Sequence, residues 1–301
     1  MKKYVLALTM GSLFISNLNA LDVRVGKGDF EWKVGMSSLF DTSIELDIDV
    51  ITLNEQHMNF EDSRYYLFGN LDIYSSDTVD KATDIIDNVM LSKMPNTPIS
   101  NILGVNNTSP NDVLGNFVPV ASSYEISGID FNIGLGYDIM KSDDGYIGMG
   151  LMAGVSTPFL EMENPIDAMA FTYAFLKDTD TDVMTYKAGI SLQAGYNFGE
   201  NVSIYSTFIY AYQTGDIENS IVDSSMDVDG NYRALDIGLE LRPSSDSSWS
   251  DLYATIGYTS KAWDVDTIEA TVAGIDTPNI ASVFRNDLST DYAYFGIGYR
   301  F

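Results

Sequence analysis

The chain has 301 residues, of which 45% are apolar and 20% are charged, so it is suited to one large folded domain and is too apolar for a disordered chain. Its formal charge of −27 would repel nucleic acid, and no nucleic-acid partner is expected. The absence of cysteine excludes disulfides, thiolate metal sites and cysteine nucleophiles.

The beginning of the chain has the pattern of a secretory signal peptide. Two lysines precede an apolar run over 4–15, and the chain then becomes polar before Ala20. We therefore expect residues 1–20 to be a signal peptide and residues 21–301 to be one mature domain. A membrane anchor is the alternative, but the run is shorter than the roughly 20 residues that a spanning helix needs.

One pattern recurs about ten times in the mature chain: every second residue is apolar, and the residues between are small, polar or charged. This period of two predicts β-strands with two different faces. The predicted strands are 30–40, 44–50, 65–73, 129–139, 147–155, 184–196, 202–213, 232–242, 252–263 and 291–301.

The links between the predicted strands alternate in length over the C-terminal seven strands. The short links are 141–145, 199–201 and 243–251, and the long links are 76–123, 157–182, 214–231 and 264–290. A soluble sandwich would share the alternating strands, but this asymmetry favours a transmembrane antiparallel up-and-down β-barrel with tight periplasmic turns and long extracellular loops. The predicted fold is all-β, with about ten strands.

Two of the long links contain apolar residues at helical spacing. They predict short helices near 79–94 and 165–177 within the extracellular loops. We expect these helices to cap the rim of the barrel, and a plug folded into the lumen is the alternative.

The pattern resembles that of bacterial outer-membrane β-barrel proteins, and the chain ends in Tyr299-Arg300-Phe301. In that class, the barrel-assembly machinery recognises a last strand that ends in an aromatic residue. The resemblance implies that Tyr299 and Phe301 form an assembly signal and that the protein lies in the bacterial outer membrane. The implied partners are outer-membrane lipid, lipopolysaccharide and the barrel-assembly machinery.

If the apolar face of every strand meets lipid, the charged residues between them line the lumen. This rule predicts a lumen charge network that contains Glu31, Lys33, Glu45, Asp47, Asp49, Arg64, Asp72, Asp130, Asp138, Lys187, Asp236, Glu240 and Arg242. We expect ion pairs that fill the barrel, because about 8 strands enclose only side chains and about 16 or more enclose a wide channel.

Candidates for catalysis and metal binding are few. His57 is the only histidine, and the alternation places it in a periplasmic surface turn, whereas enzymes of this class generally rely on a histidine near the outer rim. The acidic repeat at Asp178, Asp180 and Asp182 lacks the glycine and glutamate of a calcium loop. We predict no catalytic residue, cofactor or resident metal, and at most diffuse divalent cations at the acidic loops.

The sequence thus favours a non-enzymatic outer-membrane barrel that is structural or a narrow selective conduit for small solutes or ions. The excess of carboxylates would favour cations in a narrow path. Surface adhesion or recognition through the long acidic loops is the alternative, and an enzyme with its site at the rim is less well supported.

Overall fold

Ten long strands form a closed antiparallel barrel. The computed structural model describes residues 20–36, 40–60, 63–82, 121–163, 179–219, 224–244, 246–272, 275–276 and 284–300. The barrel strands are β1 (Ala20–Met36), β2 (Phe40–Asn59), β3 (Tyr65–Ser76), β5 (Ala121–Lys141), β6 (Gly145–Glu163), β7 (Thr179–Phe198), β8 (Val202–Asn219), β9 (Ser224–Leu241), β10 (Leu252–Val272) and β12 (Phe284–Arg300). Two short strands, β4 (Val79–Ala82) and β11 (Ile275–Asp276), pair with β5 and β10.

The barrel closes where the last strand pairs with the first. Ala20 lies opposite Arg300 and Met36 lies opposite Phe284, so β1 and β12 pair along their whole length. Each other barrel strand pairs with the next barrel strand in the chain. Closure gives both edges a partner and confirms the predicted ten-stranded up-and-down barrel.

The predicted elements need two corrections. β1 begins at Ala20, ten residues before the predicted strand 30–40, and most other strands are also longer than predicted. Residues 79–82 begin the predicted helix 79–94 but form strand β4; the rest of that helix and the helix 165–177 lie outside the described residues. The same is true of residues 1–19 of the predicted signal peptide. Within the described ranges, no helix is long and apolar enough to cross a membrane.

An apolar band surrounds the outside of the barrel near the short links. Outward side chains in this band include Val23, Val25, Ile51, Leu135, Ile147, Met149, Leu151, Ile190, Ile237, Ile256 and Ile297. Aromatic residues flank the band on both sides: Tyr65, Tyr137, Tyr196, Phe198 and Tyr299 near the short links, and Tyr186, Tyr210, Tyr212 and Tyr258 on the other side. An apolar band between two aromatic girdles is the outer surface of a transmembrane barrel.

The strands are much longer than the bilayer requires. β5 and β10 each have 21 residues, whereas about 9–11 tilted residues cross the hydrocarbon core. Because the apolar band lies at the periplasmic ends of the strands, the remainder of each strand extends beyond the outer leaflet. We call the two parts the membrane half and the extracellular half.

The two halves place side chains of opposite polarity in the lumen, as β9 shows. In its membrane half, Ile237 and Leu239 point outward and Glu240 points inward. In its extracellular half, Arg233 points outward and Tyr232 is fully buried in the lumen. The polarity of the two faces therefore exchanges along a single strand, while the alternation of the backbone continues without interruption.

An apolar core fills the lumen of the extracellular half. Its members include Phe30, Trp32, Leu46, Ile48, Tyr74, Tyr124, Ile126, Ile217, Val228, Trp263, Ile268 and Leu288, all at most 6% exposed. The Phe30 ring stacks on Tyr74, with centroids 5.8 Å apart, and lies 6.4 Å from the Trp263 ring. In this half the barrel is packed like the interior of a soluble protein.

Candidate functional site in the barrel lumen

Four charged side chains meet in the middle of the lumen, directly beneath the apolar core. This central charge cluster consists of Asp72 on β3, Asp130 on β5, Lys187 on β7 and Lys261 on β10, all at most 4% exposed. Lys187 donates to one Asp130 oxygen, and Lys261 donates to the other at 2.5 Å and also to Asp72. Two acids and two bases give the cluster no formal net charge.

Neutral donors complete the hydrogen bonds of the central charge cluster. The Tyr232 hydroxyl donates to Asp130 at 2.9 Å, and the Tyr292 hydroxyl donates to Asp72 at 2.8 Å. The Lys187 ammonium lies 3.9 Å from the centre of the Tyr232 ring. Buried charges are tolerated only when they are paired and hydrogen-bonded, and this cluster meets both conditions.

A second charged group lies below, toward the periplasm. Arg24 donates to Asp22 at 2.6 Å and to Asp236 at 3.0 Å, and its guanidinium lies 4.4 Å from the centre of the Tyr294 ring. Tyr294 fits because Gly257 faces it: a Cβ at Gly257 would stand 2.4 Å from the tyrosine oxygen. Arg24 is thus held between two carboxylates and an aromatic ring.

His57 forms a third group at the periplasmic end of the lumen. Its ring lies between Tyr66 and Tyr146, with centroid distances of 4.0 and 3.7 Å. Nδ1 lies 3.0 Å from Gln193 Oε1, and Nε2 lies 3.2 Å from Asp138 Oδ1. These contacts join His57 on β2 to four other strands.

The predicted surface position of His57 is therefore wrong. β2 continues to Asn59, and its register with β3 shifts between Glu55 and Met58. A bulge changes which side chains of a strand face inward, so a simple alternation cannot be extended through this segment. The shift allows His57 to point into the lumen with only 8% of its side chain exposed.

The structure separates the predicted lumen charges into two groups. Those inside the barrel or at its periplasmic mouth are Asp72, Asp130, Asp138, Lys187, Asp236, Glu240 and Arg242. Those that face outward, against the prediction, are Glu31, Lys33, Glu45, Asp47 and Asp49, and Arg64 is exposed in the turn before β3.

The outward charges on β1 and β2 lie in the extracellular half or at its boundary, which explains the error. There the apolar face, with Phe30 and Leu46, packs inside, so the charged face meets water. Lys27 and Asp49, for example, form an ion pair of 2.9 Å with 86% and 65% of their side chains exposed. The rule that apolar residues meet lipid holds only in the membrane half.

Three central lumen residues were not predicted: Asp22, Arg24 and Lys261. Each was recognisable from the alternation. Asp22 and Arg24 lie between the apolar residues Leu21, Val23 and Val25, and Lys261 follows the inward Thr255 and Thr259 at the spacing of two.

The predicted assembly signal lies partly within the described chain. Tyr299 points outward near the end of β12, with 42% of the residue exposed, as a member of the periplasmic aromatic girdle. Phe301 lies outside the described residues, and the recognition of this terminus stays a prediction. In the part of the chain that the structure describes, no three acidic or histidine side chains converge as a metal site.

The sequence matches no protein-family model and no curated protein. Among solved structures, it is similar to the outer membrane protease OmpT from Escherichia coli, with a TM-score of 0.50 and 8% identity over 94% of this chain and 97% of the other. The translocator domain of autotransporter NalP from Neisseria meningitidis matches with a TM-score of 0.36 and 10% identity over 100% and 97% of the two chains. The outer membrane protein OprG from Pseudomonas aeruginosa gives 0.33 and 12% over 93% and 95%.

At such low identity these similarities concern the fold alone. The similarity to OmpT agrees with the closed antiparallel barrel found here. The chain has the fold and outer surface of a bacterial outer-membrane β-barrel, and that membrane is where it lies.

Proposed function

We propose that the protein is a closed, non-enzymatic structural barrel that supports its extracellular half above the outer membrane. The observation that carries this proposal is the filling of the lumen by the apolar core directly above the central charge cluster. Because the apolar core and the central charge cluster both fill the lumen, a structural role is favoured over a narrow conduit.

The physical cost of ion passage supports a closed lumen. An ion that entered from the periplasm would first pass Arg24 and its two carboxylates. Beyond them it would meet the central charge cluster, whose charges already satisfy one another. It would then have to cross the apolar core, where an ion loses its hydration and gains no replacement ligand. Both layers would have to rearrange before a continuous polar path could form.

The surroundings of His57 support a non-enzymatic role. Tyr66 and Tyr146 cover the two faces of its ring, and Gln193 and Asp138 occupy its two nitrogens. A general base needs a nitrogen within hydrogen-bond reach of the reacting group. His57 instead bridges strands across the lumen, which is a structural use of a histidine.

A planar-bilayer recording of the refolded mature protein tests this function. We expect no discrete conductance steps, while a wide porin measured under the same conditions gives them. Heat-modifiable gel mobility of the same preparation shows that the barrel is folded. Reproducible conductance steps from folded protein would contradict the closed lumen and support the hypothesis of a narrow conduit.

Surface recognition is a second candidate, because acidic side chains dominate the outward face of the extracellular half. Asp29, Glu45, Asp47, Asp49 and Asp227 are exposed there, and such a face suits a basic partner. Deletion of 83–120, which leaves every described strand intact, tests the loop version. The truncated barrel should fold and lose binding to host-matrix proteins coated on a plate; equal binding by both proteins would argue against recognition through that link.

A further inference from the structure

The lumen opens toward the periplasm as a cavity of about 320 Å³, which we call the periplasmic cup. Its walls include Asn54, Gln56, Tyr146, Glu240, Tyr253 and Arg300. The inner end lies at Asp22 and Thr255, which are hydrogen-bonded to each other beside Arg24. The volume lies within the range of small-molecule sites, which is about 300–1,000 Å³.

Two buried amide groups in the wall of the cup have no hydrogen-bond partner. They are Asn54 Nδ2 and Gln56 Nε2, and Asn54 as a whole is only 8% exposed. Nearly all buried polar groups in proteins are hydrogen-bonded, so such atoms indicate a missing partner. Because both are donors, a ligand that pairs with them needs acceptor oxygens.

The charges of the cup disfavour an anionic ligand. Asp22, Glu55 and Glu240 contribute three carboxylates, and the two arginines at the mouth, Arg242 and Arg300, both donate to Glu240. The two arginines thus share one carboxylate, and the cup is lined by three acidic and two basic side chains. An added carboxylate or phosphate would meet more acidic than basic groups.

Tyrosine rings form the apolar part of the wall. Tyr146, Tyr205 and Tyr253 line the cup, and the Arg300 guanidinium lies 5.5 Å from the centre of the Tyr253 ring. Aromatic faces beside fixed polar groups suit a ligand that carries both C–H surfaces and oxygen atoms.

We propose that the periplasmic cup binds a neutral polyhydroxylated ligand, of the size of one or two sugar rings, that enters from the periplasm. Hydroxyl or carbonyl oxygens of the ligand accept hydrogen bonds from Asn54 and Gln56, and the tyrosine rings contact its C–H faces. The site does not depend on whether the lumen above it is closed, because it is reached from below.

Calorimetric titration of the refolded protein tests the proposal, in a detergent without a sugar headgroup. The probes are maltose, N,N′-diacetylchitobiose and the acidic disaccharide of galacturonic acid. We expect saturable millimolar binding of at least one neutral probe and about tenfold or more weaker binding of the acidic one. No binding of either neutral probe, or equal binding of the acidic probe, would overturn the proposal.

Removal of the two donors should weaken this binding. The double variant Asn54→Ala with Gln56→Ala should bind the neutral probe about tenfold less tightly, because two hydrogen bonds are lost. Asn231→Ala removes an amide from the outer face of β9 and should leave the binding unchanged. Unchanged binding by a folded double variant would contradict the assignment of these donors.

A second variant keeps the test independent of any loss of stability. The chain has no cysteine, so Ser203→Cys places a single thiol inside the cup. A bulky maleimide on this thiol should abolish probe binding, while the unlabelled variant binds normally and labelled Asn231→Cys also binds. A thiol that does not react, or a labelled Ser203→Cys protein that still binds, would overturn the location of the site.

Discussion

The membrane half and the extracellular half of the barrel consist of the same strands, yet the side chains that they place in the lumen have opposite polarity. Along β9, Ile237 faces lipid and Asp236 faces the lumen, whereas Asp227 faces water and Val228 packs in the apolar core. The backbone pattern is the same in both halves. The difference shows that the medium around the barrel decides whether the inward face of a strand carries polar or apolar side chains.

The two halves therefore gain stability in different ways. The extracellular half buries apolar surface away from water, as a soluble protein does. The membrane half faces lipid, so its interior is free to hold polar groups that satisfy one another, as Asp130, Lys187 and Lys261 do. Paired substitutions, one in each half, test this difference.

The largest effect is expected when a buried charge loses its partner. Asp130→Leu removes the carboxylate that holds Lys187 and one of two that hold Lys261. We expect the free energy of unfolding to fall by about 3–5 kcal/mol, because an unpaired charge stays buried. Urea unfolding in lipid vesicles measures the loss.

Asp49→Leu is the matched control, because its ion pair with Lys27 is exposed. Exposed pairs contribute little to stability, so no measurable change is expected. Equal losses in the two variants would show that the lumen charges have no special role.

The second-largest loss of stability is expected for a substitution in the apolar core. Leu46→Ala should lower the free energy of unfolding by about 2–5 kcal/mol, because it leaves a cavity in a tightly packed region. Ile51→Ala, on the opposite face of the same strand, should cost less, since lipid chains can fill the space. A larger loss at Ile51 in the same unfolding assay would contradict the assignment of the core.

A charge placed on the outward face should be costly only in the membrane half. Ile237→Arg should lower stability by about 2–4 kcal/mol, because it places a cation in the hydrocarbon region. Asp229→Arg, outward on the same strand but above the bilayer, should fold and insert normally. The ratio of folded to unfolded bands after insertion into vesicles distinguishes the two, and equal tolerance would refute the boundary between the halves.

The sequence predicted the number of strands, their antiparallel order and the asymmetry of the links, because these depend on local periodicity and link length. It also identified Asp130 and Lys187 as lumen residues, since both lie in the membrane half. It misplaced Glu31 and Asp49, because an alternating strand looks the same whichever face is buried. That choice depends on the height of the residue relative to the membrane.

Other features depend on contacts distant in the chain. The bond between Asp72 and Lys261 joins residues 189 positions apart, so no local pattern reveals it. The position of His57 depends on the irregular pairing of β2 with β3, which interrupts the alternation. The donors of the periplasmic cup likewise become visible only when the strands around them are assembled.

The most direct test of the change in polarity along β9 is a cysteine scan of its outward face. The scan is possible because the chain has no cysteine of its own. A fluorophore is attached singly at Asp227→Cys, Asp229→Cys, Ile237→Cys and Leu239→Cys in the protein in lipid vesicles. We predict quenching by a lipid-soluble quencher at 237 and 239, and by a water-soluble quencher at 227 and 229. Lipid quenching at all four positions would contradict the division into two halves.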